Sequence, residues 1–151
     1  MSLSFSENQI FTNLSFKNSK EALDFLAEQL IQQGCVEKGY KQAIIEREKE
    51  YPTGLSSPGV NIAIPHADYQ LVKKATVIVG ILKDPVVFHS MEDVEKQLDV
   101  QIIMMMAIDE PHGQLNMLQK VVSIIQNENL THQLVSCRSS EEAKKQLEPY
   151  L

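Results

Sequence analysis

The sequence predicts an α/β fold, a sandwich built on a mixed sheet flanked by helices, on three observations. Segments of helical period stand on both sides of a block of short apolar runs. One of those runs, inside "QLDVQIIMMMAID", is apolar at consecutive rather than alternate positions, which marks a strand buried on both faces. The gaps between elements are too irregular for a repeating unit, so the sheet should be mixed. With 151 residues, 43% of them hydrophobic, the chain is long enough for one compact domain, residues 1–151, with a real core.

Taken in order, a short strand is expected around Gln9 to Leu14. Asn18 and Ser19 then offer a cap for "KEALDFLAEQLIQQG", where Ala22, Leu23, Phe25, Leu26 and Leu30 recur at helical spacing and Gly34 supplies the stop. A second helix is expected from about Val36 through Tyr40, Ala43 and Ile44 to "EREKE", placing Arg47 at its C-terminal end before the turn chemistry of "YPTGLSSPG". Three strands follow, Val60 to Ile64, Ala75 to Leu82 and Val86 to His89, with "KDP" as a tight connection between the last two. After the buried strand the period changes again. Asp109 can cap and Pro111 suits a first turn, while Leu115, Leu118, Val121, Val122 and Ile125 mark one face of a helix. Shorter helices are expected at Leu130 to Cys137 and Ser140 to Leu147.

Composition excludes several classes. Twenty acidic against fourteen basic residues, a net charge of -6, and no Lys/Arg cluster make nucleic acid an unexpected partner. The longest apolar run, Ile102 to Ile108, is far short of the roughly 20 residues a membrane helix needs, and "MSLSFSENQI" lacks the basic flank and apolar block of a signal peptide. A cytoplasmic protein without membrane insertion is expected. Cys35 and Cys137 have no CxxC partner and read as reduced, packed thiols. Met104, Met105 and Met106 alternate faces on a strand, so they read as core and not as a joint metal site.

"GVNIAIPHAD" holds the chemically informative position. His66 stands where an apolar strand empties into a loop, and a largely neutral imidazole there is a candidate for acid/base, metal or covalent phosphoryl work, or simply for capping the strand. Metal binding lacks spacing, because His66, His89, His112 and His132 are isolated from each other and only Asp68 lies beside His66. Neither a GxSxG elbow nor a GxxxxGK[ST] loop occurs. Phosphoryl transfer to His66 remains. Pro65 fixes the backbone before the ring and Ala67 leaves little bulk after it. Arg47 and Gln114 are candidates for phosphate contacts, Thr53 or Ser56 for an added hydroxyl, and His112 and Gln114 occupy the first turns of a helix, where free amides favour an anion.

In order along the chain, "EREKEYPTGL", "VNIAIPHAD" and "VVFHSMEDVEKQLDVQIIMMMAIDEPHGQLNMLQKVV" resemble the enzyme IIA component of the sugar phosphotransferase system, of the fructose and mannitol superfamily. "REKEYPTGL" with the longer "SSPG" loop is most similar to the galactitol type. The resemblance implies a mixed five-stranded sheet covered by helices. It also implies a cytoplasmic phosphocarrier: His66 takes a phosphoryl group from the phosphohistidine of HPr and passes it to a cysteine of a cognate IIB, and through it serves a membrane IIC. Arg47 matches the family arginine that helps hold the phosphate. Where many members carry a second histidine in HLxxL, this chain has Gln114 in "QLNML", with His112 two residues earlier. Glutamine there fits the galactitol type, donates a hydrogen bond and brings no charge. The expected mechanism needs no cofactor: Nε2 of neutral His66 attacks, and Nδ1–H is held by a neighbouring acceptor. A regulatory phosphosensor acting on a transcription factor or kinase is the alternative.

Overall fold

A computed structural model describes residues 6–151, so Met1 to Phe5, half of the stretch read for a leader, lie outside it. The chain runs β1 (Ile10–Leu14), α1 (Ser19–Gln32), α2 (Tyr40–Glu50), β2 (Gly54–Leu55), β3 (Asn61–Ala63), β4 (Thr76–His89), β5 (Gln97–Ala107), α3 (Pro111–Ile125), α4 (Glu128–Ser136) and α5 (Ser140–Leu147). The five strands form one sheet in the order β1-β4-β5-β3-β2. β1 with β4 and β3 with β5 are parallel, whereas β4 with β5 and β2 with β3 are antiparallel, so the sheet is mixed as expected.

Each face of the sheet has its own apolar layer. Ile78, Ile103 and Met105 pack with Leu26, Leu30, Tyr40 and Ile44 on the α1/α2 side. Val77, Val79, Ile102, Met104 and Met106 pack with Met117, Val121, Leu134 and Leu147 on the α3/α4/α5 side. The three consecutive methionines are therefore divided between the two layers, as strand alternation requires, and all are buried.

Local signals set most boundaries. The Asn18 side chain accepts the Glu21 N–H and caps α1. At its other end Gly34 adopts φ 73° and the Cys35 N–H reaches back to the Leu30 carbonyl. Asn127 and Ser139 cap α4 and α5 in the same way as Asn18.

Five local expectations need correction. α2 begins at Tyr40 and not near Val36, because Val36 instead bridges Val72 and the Glu37 N–H donates to the Leu71 carbonyl. "KDP" is no turn: it lies inside β4, which continues from Thr76 to His89. There β4 bulges, advancing from Ile81 to Val86 while β5 moves only from Ile102 to Val100. The Gln101 amide donates to the Leu82 and Lys83 carbonyls across the bulge, and β1 has already ended at Leu82, so Pro85's missing N–H deprives no neighbour. The true hairpin turn is Ser90 to Lys96, closed by the Ser90 N–H on the Lys96 carbonyl. Within "YPTGLSSPG" the structure finds β2, paired to β3.

The fourth and fifth corrections concern α3. Its N-cap is Glu110 rather than Asp109, and its buried stripe is Gly113, Met117, Val121, Ile124 and Ile125. Leu115 and Val122 of the expected face are 54% and 38% exposed.

Candidate functional site

His66 lies just beyond β3, and three hydrogen bonds, to the segment before β2, to β5 and to α3, fix the main chain around it. The Ile64 N–H donates to the Thr53 carbonyl, and the Met106 N–H donates to the Pro65 carbonyl. The Gln114 amide donates to the Ala67 carbonyl at 3.2 Å. A parallel bridge links His66 itself to Met106 of β5. β5 is in turn tied to α2, because the buried Tyr40 hydroxyl donates to the Met106 carbonyl at 2.8 Å.

The imidazole is partly buried. Its Nδ1 lies 2.9 Å from the Ile64 carbonyl oxygen. A carbonyl only accepts, so Nδ1 carries the proton of the neutral ring and Nε2 keeps its lone pair. Loss of solvent lowers the pKa of His66 below the ordinary imidazole value. The Ile64 carbonyl works against that shift, and the positive charge of Arg47 adds to it. The ring is thus held neutral, in one tautomer, with Nε2 available.

Arg47 sits in the last turn of α2. Its guanidinium carbon lies 5.3 Å from the centroid of the Tyr51 ring, one helical turn on, and the residue is exposed. The stack holds the long side chain near the helix end while leaving its donors toward solvent. Gln114 belongs to the second turn of α3, whose N-cap Glu110 makes no side-chain bond to the first-turn amides. The amides and dipole of that turn are therefore near the His66 loop, against which Gln114 packs.

Other residues singled out from the sequence stand elsewhere or are otherwise engaged. His112 is exposed on the first turn of α3 and has no polar partner among the described residues. The Asp68 carboxylate accepts the Gln70 N–H and caps a short turn, so it does not orient His66. The Thr53 hydroxyl, expected as a donor toward an anion, is buried and donates to Glu48 at 2.8 Å; Ser56 is exposed. Burial pushes the Cys35 and Cys137 thiols up, away from thiolate reactivity. His89 holds the Val94 carbonyl in the hairpin turn, and His132 lies beside Glu128 on α4.

Two residues escaped sequence reasoning. Glu48 accepts both the main-chain N–H and the hydroxyl of Thr53, at 2.7 and 2.8 Å, and Tyr51 supplies the ring under Arg47. A carboxylate in a helix's last turn opposes the dipole, which is a faint signal that it has a local donor. In "EREKE" that signal is hidden among other charges.

Comparison with known proteins places this geometry. Residues 3–149 match the family described as phosphoenolpyruvate-dependent sugar phosphotransferase system, EIIA 2. The galactitol-specific EIIA component of the sugar phosphotransferase system of Escherichia coli (strain K12) is 25% identical over 125 residues, 83% of each chain. The mannitol-specific phosphotransferase enzyme IIA component of Enterococcus faecalis is 30% identical over 138 residues, 89% of this chain and 90% of its own. Among solved structures, mannitol IIA of Escherichia coli, in complex with phosphorylated mannitol IIB, superposes with a TM-score of 0.81 at 25% identity, covering 98% of this chain and 99% of that one. A five-stranded mixed sheet with helices on both faces, a histidine at a strand exit and a match along almost the whole chain lead to one conclusion: the chain belongs to the EIIA 2 family of the phosphoenolpyruvate-dependent sugar phosphotransferase system, as a phosphotransfer component of the mannitol and fructose type.

Proposed function

We propose that this chain works as a single-domain cytoplasmic phosphocarrier that receives a phosphoryl group on Nε2 of His66 from the phosphohistidine of HPr and donates it to a cysteine of a cognate IIB. The observation that supports this reading best is the Nδ1–H bond to the Ile64 carbonyl, which leaves the Nε2 lone pair of a neutral ring as the nucleophile. In the first step that lone pair forms a bond to phosphorus while the donor's P–N bond breaks, its electron pair returning to the donor imidazole. In the second, the IIB thiolate forms an S–P bond and the Nε2–P bond breaks. Arg47 and the first turn of α3 steady the phosphoryl oxygens, and Gln114 keeps the His66 loop in place. His112 is a further candidate from that same turn.

The IIB partner is supported by the Escherichia coli mannitol IIA complex with phosphorylated IIB. HPr as donor, and a membrane IIC beyond IIB, follow from the same division of labour. No helix among the described residues is long and apolar enough to cross a membrane. For the sugar, we favour galactitol or a related polyol: a galactitol-specific relative matches over most of the chain, and Gln114 in place of a second histidine fits that type.

Incubation with phosphoenolpyruvate, enzyme I and HPr should give an acid-labile, base-stable phosphoprotein, and His66→Ala should abolish it. Stoichiometric labelling of His66→Ala would sink the assignment. Presenting the phosphoprotein to galactitol and mannitol IIB domains then ranks the substrates by transfer rate; no transfer to any IIB would favour a regulatory phosphosensor.

A further inference from the structure

A continuous hydrogen-bonded chain connects α2 to the reacting ring. The Glu48 carboxylate accepts from the Thr53 N–H at 2.7 Å and from the Thr53 hydroxyl at 2.8 Å. The Thr53 carbonyl accepts from the Ile64 N–H at 3.1 Å. The Ile64 carbonyl accepts from His66 Nδ1 at 2.9 Å. Thr53 is buried, so its two donors have no access to water that could replace Glu48.

Resting on the phosphocarrier reading above, we infer that Glu48 is a positioning residue for phosphoryl transfer: through Thr53 and Ile64 it sets the tautomer and aim of His66, and through its own helix turn it sets the place of Arg47. Two features make this more than a structural contact. First, Glu48 is the immediate neighbour of Arg47 in the last turn of α2, so whatever anchors Glu48 to Thr53 also anchors the base of the arginine and of its Tyr51 stack. Second, Thr53 and Ile64 are each held at both their N–H and their carbonyl, so a shift of Thr53 away from Glu48 displaces the carbonyl that holds the Ile64 N–H, and a shift of Ile64 displaces the carbonyl that holds Nδ1. A displacement of about 1 Å at a reacting group lowers rates by as much as a hundredfold. Both reacting partners thus hang from one carboxylate.

The test uses the full chain, phospho-HPr as donor and two readouts. Long-range proton–nitrogen NMR of the His66 ring in the wild type should show the Nδ1–H tautomer alone. Glu48→Ala should mix the two tautomers and slow phosphoryl transfer per folded molecule by roughly tenfold to a hundredfold. Glu48→Gln should restore transfer to within about threefold, because its amide oxygen still accepts the Thr53 N–H while its NH2 donates to the hydroxyl oxygen. Should Glu48→Ala not fold, Thr53→Val, which keeps the main-chain donor, should slow transfer by about threefold with a matching partial tautomer change. Asn18→Ala, which loses the cap of α1, serves as a variant of lowered stability that should change neither readout. A Glu48→Ala protein with wild-type transfer and an unaltered tautomer overturns the inference. If the wild type accepts no phosphoryl group, the phosphocarrier reading fails by itself, and the tautomer measurement still decides whether Glu48 governs His66.

Discussion

At the scale of single residues, the His66 ring is kept neutral by loss of solvent and by the Arg47 charge, while its carbonyl partner at Ile64 favours the protonated form. Because the folded pKa lies below the unfolded one, His66 contributes stability that is present above the ordinary imidazole value of about 6.5 and is lost as pH falls through the folded value. An NMR titration should therefore put its midpoint below 6.5 in the wild type and nearer to 6.5 in Arg47→Ala. The same substitution should slow phosphoryl exchange with HPr by about 2 to 4 kcal/mol of barrier, as for other preorganised charge stabilisers. Unchanged exchange kinetics would reduce Arg47 to a surface charge stacked on Tyr51. His66 and Arg47 were legible in the sequence because a strand-end histidine and a helix-end arginine stand out in family-like motifs. Glu48 was not, since its importance lies in a partner five residues on, across a turn whose path the sequence left open.

At the scale of elements, the short strand β2 shows how a turn can be misread. "YPTGL" has turn residues, but Gly54 pairs with Ala63 and its carbonyl accepts the Met91 N–H. The close approach requires glycine: a Cβ there would stand 2.6 Å from the His89 carbonyl oxygen. Gly54→Ala should destabilise the fold by about 1 to 3 kcal/mol in urea denaturation, because backbone and not a flexible side chain must yield. The continuous β4 was missed for a related reason. A proline inside a strand is ordinarily a stop signal, and only the end of β1 at Leu82 and the Gln101 amide over the bulge make Pro85 acceptable. The capped helices were the legible elements, as Asn18 and Gly34 act through neighbours close in sequence.

The whole molecule has a pH response in which Glu48 and His66 oppose each other. Burial raises the Glu48 pKa to about 7, against the lowering effects of Thr53 and Arg47. A carboxyl whose folded pKa exceeds its unfolded value contributes stability that is full below about 4.5 and is lost as pH rises through about 7. The loss amounts to about 3 kcal/mol at most. Lys20, Lys49, Glu50 and His89 share with Glu48 a cleft of about 400 Å³, so the response should be read against their charges. Urea denaturation at pH 5 and pH 8 should show Glu48→Gln gaining on the wild type at the higher pH; a pH-independent difference would contradict the raised pKa. Tyr40→Phe tests the link between helix layer and sheet. Removing its hydroxyl leaves the buried Met106 carbonyl without that donor and should cost about 1 to 3 kcal/mol at neutral pH.

By itself the sequence determined the α/β class, most helix ends, the doubly buried strand and the identity of His66, Arg47 and Gln114 as candidates, because periodicity, caps and a strand-end histidine are local properties. Tertiary structure alone decided the rest. In α3 the expected face Leu115, Leu118, Val121, Val122 and Ile125 and the buried stripe Gly113, Met117, Val121, Ile124 and Ile125 both keep helical spacing and share Val121 and Ile125, and only packing with Met104, Met106 and their layer turned Met117 and Ile124 inward in place of Leu115 and Val122. The same holds at the site. Which carbonyl holds Nδ1, which acid anchors Thr53 and which amide steadies Ala67 depend on β3, β5, α2 and α3 meeting at one point, and hydrogen bonds between elements far apart in sequence leave no periodic trace in it.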